Sequence, residues 1–166
     1  MTVGFGNALG ETGVRETRWL TPPSIVEALG EFDLDPCGAP NHHLAKRTLL
    51  LENGDNGITD RWEGRVWCNP PYGKESVPFL DKLSRHPGGG TALIFARTET
   101  RMFFDYVWDK ASAVLFIKSR IKFLRADLTE ADAAQAPSVL VAYGDKDAEA
   151  LRASGINGKF IDLRNK

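Results

Sequence analysis

Residues that form cross-links and metal centres are scarce in this sequence. Among 166 residues there are two cysteines, Cys37 and Cys68, and three histidines, and no Cys-x-x-Cys pair occurs. A disulfide-stapled fold needs more cysteines than this, and a structural zinc site needs ligands at characteristic short spacings. We therefore expect reduced thiols and no bound metal.

Long apolar runs are missing as well. No stretch approaches the roughly 18–20 apolar residues that a membrane-spanning helix requires. The N-terminus has neither the basic start nor the apolar core of a secretion signal, and the chain has no internal repeat. These absences predict a soluble cytoplasmic protein without a membrane partner, and they leave its oligomeric state open.

Neither sign of charge dominates. The chain has 21 Lys and Arg against 22 Asp and Glu, a formal charge of −1, which gives no reason to expect a nucleic-acid partner. The composition, 42% hydrophobic and 26% charged, is that of a folded protein of about one domain. We expect a flexible, glycine-rich arm over residues 1–14 and a single domain over residues 15–166.

Strand and helix patterns alternate along most of the chain. Thr21 is suited to cap a first helix that has Pro22 at its first position. The order of the elements predicts a three-layer α/β domain with a largely parallel sheet, and residues 126–137 are expected to be a short helix or loop. Strands are predicted at 32–35, 48–51, 65–68, 91–96, 112–117, 138–143 and 159–163, and later helices at 77–83, 100–110 and 145–153.

One tetrapeptide in this pattern carries chemistry. Asn69-Pro70-Pro71-Tyr72 directly follows the strand 65–68, which places it at the carboxyl end of a strand, where open α/β sheets bind ligands. The prolines have no N–H groups and make the loop rigid. The Asn69 side-chain carbonyl and the Pro70 carbonyl are therefore available as acceptors, and Tyr72 adds an aromatic face for a flat ring.

Two acceptors beside an aromatic face suit a planar amino or amide nitrogen that has two N–H groups. Such a nitrogen is a weak nucleophile because its lone pair is delocalised. Hydrogen bonds to both N–H groups favour a pyramidal nitrogen and stabilise the positive charge that develops when it attacks a methyl donor. Alignment of the two reactants can contribute up to about 7–11 kcal/mol. No side-chain base is required, because the proton can leave after methylation.

Several further motifs occur in order along residues 19–143. They are Trp19-Leu20-Thr21-Pro22, Phe32-Asp33-Leu34-Asp35-Pro36-Cys37, residues 55–58 with Trp62, residues 66–73, residues 97–104 and residues 120–123. Together they resemble the small phage and prophage N6-adenine DNA methyltransferases of the Dam type. The resemblance implies a Rossmann-like methyltransferase fold and the transfer of a methyl group from S-adenosylmethionine to the N6 amino group of adenine in DNA, in a bacterial host cell.

The resemblance also implies roles for individual positions. Asn69, Pro70, Pro71 and Tyr72 would form the catalytic loop, which binds an adenine flipped out of the duplex. Trp19 would either contact the cofactor or anchor the core, and Phe123 would either form a second wall of the base pocket or belong to the core. Gly38 would let the backbone approach the cofactor closely. The residues implied to lie along S-adenosylmethionine are Trp19, Thr21, Pro22, Asp35, Pro36, Cys37, Gly38 and Asp55.

Basic residues are concentrated in one segment. Residues 97–125 contain seven basic and three acidic residues, whereas residues 126–151 contain one basic and six acidic residues. On a strand, Lys118, Arg120 and Lys122 would share one face, where they would contact phosphates or form a solvated edge. The positions expected to bind DNA are Lys74, Arg97, Arg101, Lys118, Arg120, Lys122 and Phe123.

Other functions remain open at this point. Protein-glutamine N5 methyltransferases also carry Asn-Pro-Pro-Tyr, and a non-catalytic module would keep the fold and bind S-adenosylmethionine or DNA. Methylation of cytosine N4 is less favoured, because those enzymes usually have serine in place of Asn69. Only 33 residues separate Asp35 from Asn69. This leaves little chain for a recognition domain, so we expect a short or permissive target.

Overall fold

Seven strands form one sheet and two more form a separate hairpin in the computed structural model, which describes residues 19–165. The arm expected over residues 1–14 lies outside the described residues. The strands are β1 (Leu34–Asp35), β2 (Arg47–Thr48), β3 (Val66–Cys68), β4 (Gly90–Phe95), β5 (Ala113–Ile117), β6 (Lys122–Leu124), β7 (Glu130–Ala133), β8 (Ser138–Tyr143) and β9 (Gly158–Asp162). The helices are α1 (Pro23–Glu27), α2 (Ser76–Arg85), α3 (Arg101–Phe103, continued by a π-helical turn over Phe104–Trp108) and α4 (Asp145–Ala153).

The large sheet has the order β2-β1-β3-β4-β8-β5-β9. The four strands from β2 to β4 are parallel to one another. β8 is antiparallel to both β4 and β5, and β9 is antiparallel to β5. The expectation of a largely parallel sheet is therefore correct for one half only. β5 leads through the β6–β7 hairpin into β8 without a helical crossover, and antiparallel pairing follows from such a connection.

Two hydrophobic clusters cover the two faces of this sheet. Leu93 and Phe95 of β4 belong to one cluster, and Ala92 and Ile94 belong to the other, as expected because alternate side chains of a strand point to opposite faces. Residues of α1, α4 and the β6–β7 hairpin join the first cluster, and residues of α2, α3 and its π-helical turn join the second. The fold is thus mixed α/β with elements packed on both faces.

The segment from Lys118 to Ala134 differs from the sequence-based expectation. Lys118, Ser119 and Arg120 do not lie on one strand, because Ser119 has a φ of 73° and turns the chain out of β5. Only Lys122 belongs to a strand, β6. The expected helix or loop at 126–137 instead contains β7, which pairs with β6 in the hairpin. Buried alanines allow this segment to lie close to the core, namely Ala131, Ala134 and Ala136.

Candidate active site

The Asn69–Tyr72 loop leaves the sheet at the carboxyl end of β3, which lies between β1 and β4. Because these three strands are parallel, their carboxyl ends meet at one edge of the sheet. Asp35 ends β1 and therefore lies on the same edge as the loop. The expected position of the tetrapeptide, at the carboxyl end of a strand, is confirmed.

Asn69 has hydrogen-bond partners at one end of its amide only. Its Nδ2 donates to the Trp19 carbonyl at 3.0 Å and to Thr21 Oγ1 at 3.3 Å. Its Oδ1 is buried and accepts no hydrogen bond from the described residues. A buried acceptor without a donor costs about 1–3 kcal/mol. The arrangement therefore suits a ligand that supplies an N–H group.

Thr21 has a different task from the one expected. It does not cap α1, which begins at Pro23 with Pro22 in the cap position. The reason is local, since a residue that precedes a proline is disfavoured in helical conformation and Pro22 precedes Pro23. The Thr21 hydroxyl is instead available to hold the Asn69 amide.

Tyr72 is packed between two phenylalanine rings. Its ring stacks on Phe95 with 4.3 Å between centroids and 9° between planes, and the Phe123 ring meets it edge-on at 6.5 Å. A base can therefore stack only on the face of Tyr72 opposite Phe95. Burial raises the pKa of the Tyr72 phenol far above its usual range, so the side chain stays protonated. Phe123 is fully buried and supports Tyr72 from the core.

A cavity of about 140 Å³, called the Asp35 cavity below, lies on one side of the loop. It brings together seven of the eight residues expected to bind the cofactor; Pro22 does not line it. Those seven are Trp19, Thr21, Asp35, Pro36, Cys37, Gly38 and Asp55. The four loop residues, Asn69, Pro70, Pro71 and Tyr72, also line the cavity and form one of its walls.

Asp35 gives the Asp35 cavity its electrostatic character. The carboxyl is only 3% exposed, and burial raises its pKa to about 7, although a hydrogen bond from the Cys37 backbone N–H at 3.0 Å acts in the opposite direction. The pKa of the Cys37 thiol is raised by burial and by Cys68, so the thiol remains neutral. A cation bound in the cavity would stabilise the ionised form of Asp35.

Gly38 and Asp55 each make a contact within the protein that explains why glycine and aspartate occur at these positions. A Cβ at Gly38 would meet the Thr48 side chain at 1.9 Å, so the close approach is to β2 and the absent side chain makes room for that strand. Asp55 Oδ2 accepts a hydrogen bond from the Leu50 backbone at 2.9 Å, which ties together the loop after β2. Both residues still line the Asp35 cavity.

His42 is a candidate that the motif analysis missed. It lines the Asp35 cavity, is 6% exposed, and its Nε2 has no hydrogen-bond partner among the described residues. Burial lowers the pKa of His42, against the effect of hydrogen bonding to the Thr21 backbone, so that the ring is neutral at neutral pH. Its neighbour His43 is exposed. Nothing in the pair His42-His43 indicates which of the two faces a ligand.

A larger groove of about 690 Å³ lies on the other side of the loop and shares Pro70, Pro71 and Tyr72 with the Asp35 cavity. We call it the Arg97 groove. Three of the cations expected to bind DNA line it, namely Lys74, Arg97 and Arg101. Its other lining residues include Ile94, Phe95, Met102 and Tyr106.

The cations of the Arg97 groove are held to different degrees. The Arg97 guanidinium lies 5.9 Å from the centroid of the Phe95 ring, the ring that supports Tyr72. Arg101 is 94% exposed and pairs with Asp105 at 3.3 Å. Thr100 caps α3 as expected, because its hydroxyl accepts from the Phe103 N–H at 3.3 Å. Helix α3 therefore fixes the rim of the groove.

The other three cations expected to bind DNA do not line the Arg97 groove. Arg120 donates to the Ala134 carbonyl at 3.1 Å, and Lys122 pairs with Glu130 at 3.7 Å. Both interactions tie the hairpin together, which gives these side chains structural partners. Lys118 is exposed in the turn after β5, separate from the groove.

Residues 19–165 contain no helix that is long and apolar enough to cross a membrane. The same residues contain no cluster of three or more His, Cys, Asp or Glu side chains arranged to hold a metal ion.

Comparison with known proteins gives one family. The family model described as "DNA N-6-adenine-methyltransferase (Dam)" matches residues 12–158. A comparison with curated proteins finds no match. The matched range contains both the Asp35 cavity and the Arg97 groove, and it agrees with the resemblance seen in the motifs.

Proposed function

Since the chain belongs to the DNA N-6-adenine-methyltransferase (Dam) family, we propose that its Asn69–Tyr72 loop holds the target adenine between the Asp35 cavity and the Arg97 groove. Enzymes of this family transfer a methyl group from S-adenosylmethionine to the N6 amino group of adenine in DNA. The observation that carries the assignment of the site is the buried, unpartnered Oδ1 of Asn69, which lines the Asp35 cavity directly before Pro70, Pro71 and Tyr72, the residues shared with the cation-lined groove.

The residues that line the Asp35 cavity suit the cofactor chemically. S-adenosylmethionine supplies an electrophilic methyl group on a positively charged sulfur. A buried carboxyl with a pKa of about 7 is suited to such a cation, and the unpartnered Nε2 of His42 suits one of the polar groups of the same molecule. The residues that would form the remaining contacts are Trp19, Thr21, Pro36, Cys37, Gly38 and Asp55. Pro22 sets the course of the chain after Thr21.

The loop binds and orients the acceptor nitrogen. Asn69 Oδ1 accepts one N6 hydrogen and the Pro70 carbonyl accepts the other, so that the lone pair of the nitrogen is directed toward the methyl donor. The bonds from Asn69 Nδ2 to Trp19 and Thr21 prevent rotation of the amide. Acceptors that are fixed before the substrate arrives need no reorganisation during the reaction, and this is the source of their stabilising effect on the transition state.

Tyr72 stacks on the base and does not act as a base catalyst. Its raised pKa keeps the phenol protonated, and its position on Phe95 fixes the plane against which the adenine lies. Pro71 keeps the turn between Pro70 and Tyr72 rigid. The proton on N6 is released after methyl transfer, which requires no side-chain base.

DNA approaches from the Arg97 groove in this proposal. Lys74, Arg97 and Arg101 contact phosphates near the flipped nucleotide, while Lys118, Arg120 and Lys122 provide weaker contacts along the adjoining turn and hairpin. Because only these few cations face the DNA in this proposal, DNA affinity is modest and sensitive to salt. Among residues 19–165, the hairpin is the main element outside the large sheet and its covering helices that could read DNA, which favours a short or permissive target.

The finer features of the fold and the location of the protein belong to the same proposal. We assign residues 15–166 to one three-layer, Rossmann-like methyltransferase domain, supported by the elements on both faces of the sheet.

An enzyme that methylates phage or host DNA would work in the cytoplasm of a bacterial cell. The family match favours DNA over protein glutamine as the methyl acceptor.

A direct test identifies the modified nucleoside. The protein is incubated with labelled S-adenosylmethionine and unmodified plasmid DNA, and the digested nucleosides are separated. We expect label in N6-methyladenine, and a loss of about a hundredfold or more in rate for Asn69→Ala, with cofactor binding retained. Label only in protein, or no label from a folded protein that binds the cofactor, would refute the proposal.

A further inference from the structure

Leu128 is an apolar residue in an unfavourable place. Among residues 19–165, three large hydrophobic side chains are exposed, Leu51, Phe104 and Leu128, and three non-glycine residues have positive φ, Asn41, Ser119 and Leu128. Only Leu128 has both properties, with 43% exposure and a φ of 68°. A bulky side chain is rare at such a φ, where glycine or asparagine is usual.

The turn that holds Leu128 is well ordered by hydrogen bonds. The Leu128 N–H donates to the Arg125 carbonyl at 2.8 Å, and the Arg125 N–H donates to the Thr129 carbonyl at 2.8 Å. The Thr129 N–H and hydroxyl both donate to Asp127 Oδ1. The turn therefore presents the leucine side chain on a rigid tip. Strain of this kind, retained at an exposed site, points to a function for the side chain.

The hairpin that ends in this turn is attached to the active site. Phe123 of β6 contacts the Tyr72 ring, and Leu124 forms two backbone hydrogen bonds of 2.8 Å with Leu20, next to the residue that holds Asn69. Arg125, the first residue of the turn, directly follows Leu124, and one residue of extended chain spans about 3.4 Å. The turn thus follows directly on two residues that contact Tyr72 and the segment holding Asn69, which joins the apolar tip to the loop that would receive the base.

An adenine that leaves a duplex leaves a gap in the base stack. Proteins that distort DNA often fill such gaps with Leu, Ile, Phe or Met side chains, and extrusion of a paired base costs free energy that an inserted side chain offsets. Given the methyltransferase function proposed above, we propose that Leu128 is a wedge that enters the duplex beside the target adenine and occupies the space that the base vacates.

The test uses substitutions at two left-handed positions. Leu128→Gly removes the wedge and relieves the backbone, and Ser119→Gly relieves the backbone at a second exposed position without removing an apolar side chain. Leu128→Met keeps a long apolar side chain. All variants are first checked by thermal melting, and we expect Leu128→Gly to melt within a few degrees of the unsubstituted protein or above it.

Base extrusion is measured with duplexes that carry 2-aminopurine in place of a target adenine identified on methylated plasmid. We expect the unsubstituted protein, Ser119→Gly and Leu128→Met to raise its fluorescence, and Leu128→Gly to fail. On a matched duplex with adenine, kcat/KM of Leu128→Gly should fall about tenfold or more. On a duplex whose target adenine faces an abasic site, kcat/KM of Leu128→Gly should return to within about twofold of the value for the unsubstituted protein. The reason is that the adenine there has no paired base from which it must separate.

Two results would overturn the wedge. One is unchanged extrusion and methylation of matched duplex by Leu128→Gly. The other is an equal loss on the matched and abasic duplexes, which would make Leu128 a simple binding contact. Failure of the methyltransferase assignment is distinguishable, because the unsubstituted protein would then methylate no adenine in any of these DNAs.

Discussion

The Asp35 cavity and the Arg97 groove share one wall and are built by opposite means. The Asp35 cavity places a few buried polar groups in a largely apolar lining, among them Asp35 and His42 with exposed fractions of 3% and 6%. The Arg97 groove places cations at its rim, and Arg101 is 94% exposed there. Buried groups interact strongly with a small ligand because water does not screen them, whereas exposed cations attract a charged polymer weakly and in a salt-dependent manner.

We therefore expect substitution of Asp35 or His42 to change cofactor affinity and leave DNA affinity unchanged, and substitution of Arg97 to do the reverse. We also expect a larger effect for each residue in the cavity than in the groove. Three experiments test these expectations, from the largest expected effect to the smallest.

Asp35→Asn should have the largest effect. The carboxyl has a pKa of about 7 in the free protein, so it is neutral below that pH and ionised above it. Because only the ionised form attracts a cation, affinity for S-adenosylmethionine should rise as the pH increases toward and through 7 and then level off. At pH 8 the asparagine variant should bind about ten- to a hundredfold more weakly, as measured by titration calorimetry.

The pH profile of the same variant supplies the control. An asparagine side chain cannot ionise, so the rise in affinity between about pH 6 and 8 should be absent, apart from any titration of the cofactor itself, which affects both proteins equally. Identical pH profiles for the two proteins would contradict the role given to Asp35.

His42→Ala should weaken cofactor binding by about tenfold, the value of one buried hydrogen bond, with no change in DNA affinity. His43→Ala is the matched control, since it removes the same side chain from an exposed neighbouring position, and it should bind the cofactor normally. If the two alanine variants bind the cofactor equally well, His42 has no part in the Asp35 cavity's ligand.

Arg97→Ala should have the smallest effect, a decrease in DNA affinity of roughly three- to tenfold at low salt. The slope of log affinity against log salt should decrease by about one, as expected for one lost phosphate contact. Cofactor affinity should be unchanged. Lys159→Ala, which removes an exposed cation from β9 at the far edge of the sheet, is the control. A salt slope that is unaltered by Arg97→Ala would show that the Arg97 groove does not contact phosphate.

Sequence patterns predicted those features that depend on neighbours in the chain. The strand 138–143 is β8 without any change of bounds, and the tetrapeptide at 69–72 does follow a buried strand. The cap formed by Thr100 is another example. Each of these follows from alternation, from loop residues or from a side chain that reaches three residues along its own chain.

Predictions failed where residues distant in sequence decide the outcome. The basic run after β5 reads as one strand, yet the chain turns at Ser119, and buried alanines in and after β7 let the hairpin pack against the core. The burial of His42 and the exposure of His43 also depend on which elements cover the loop after β1. A pattern of adjacent residues contains no signal for that choice.

By itself, the sequence determined the place of the Asn69–Tyr72 loop after a strand and the family, and it predicted the chemistry of that loop, because these depend on residue types in a fixed order. Only the tertiary structure decided that Thr21 holds Asn69, that Phe123 supports Tyr72, and that the cations divide between the groove and the hairpin. The physical reason is that Asn69 and its partner Thr21 are 48 residues apart. Contacts over such separations form only when the sheet brings the carboxyl ends of its strands, and the segments that cover them, to one edge.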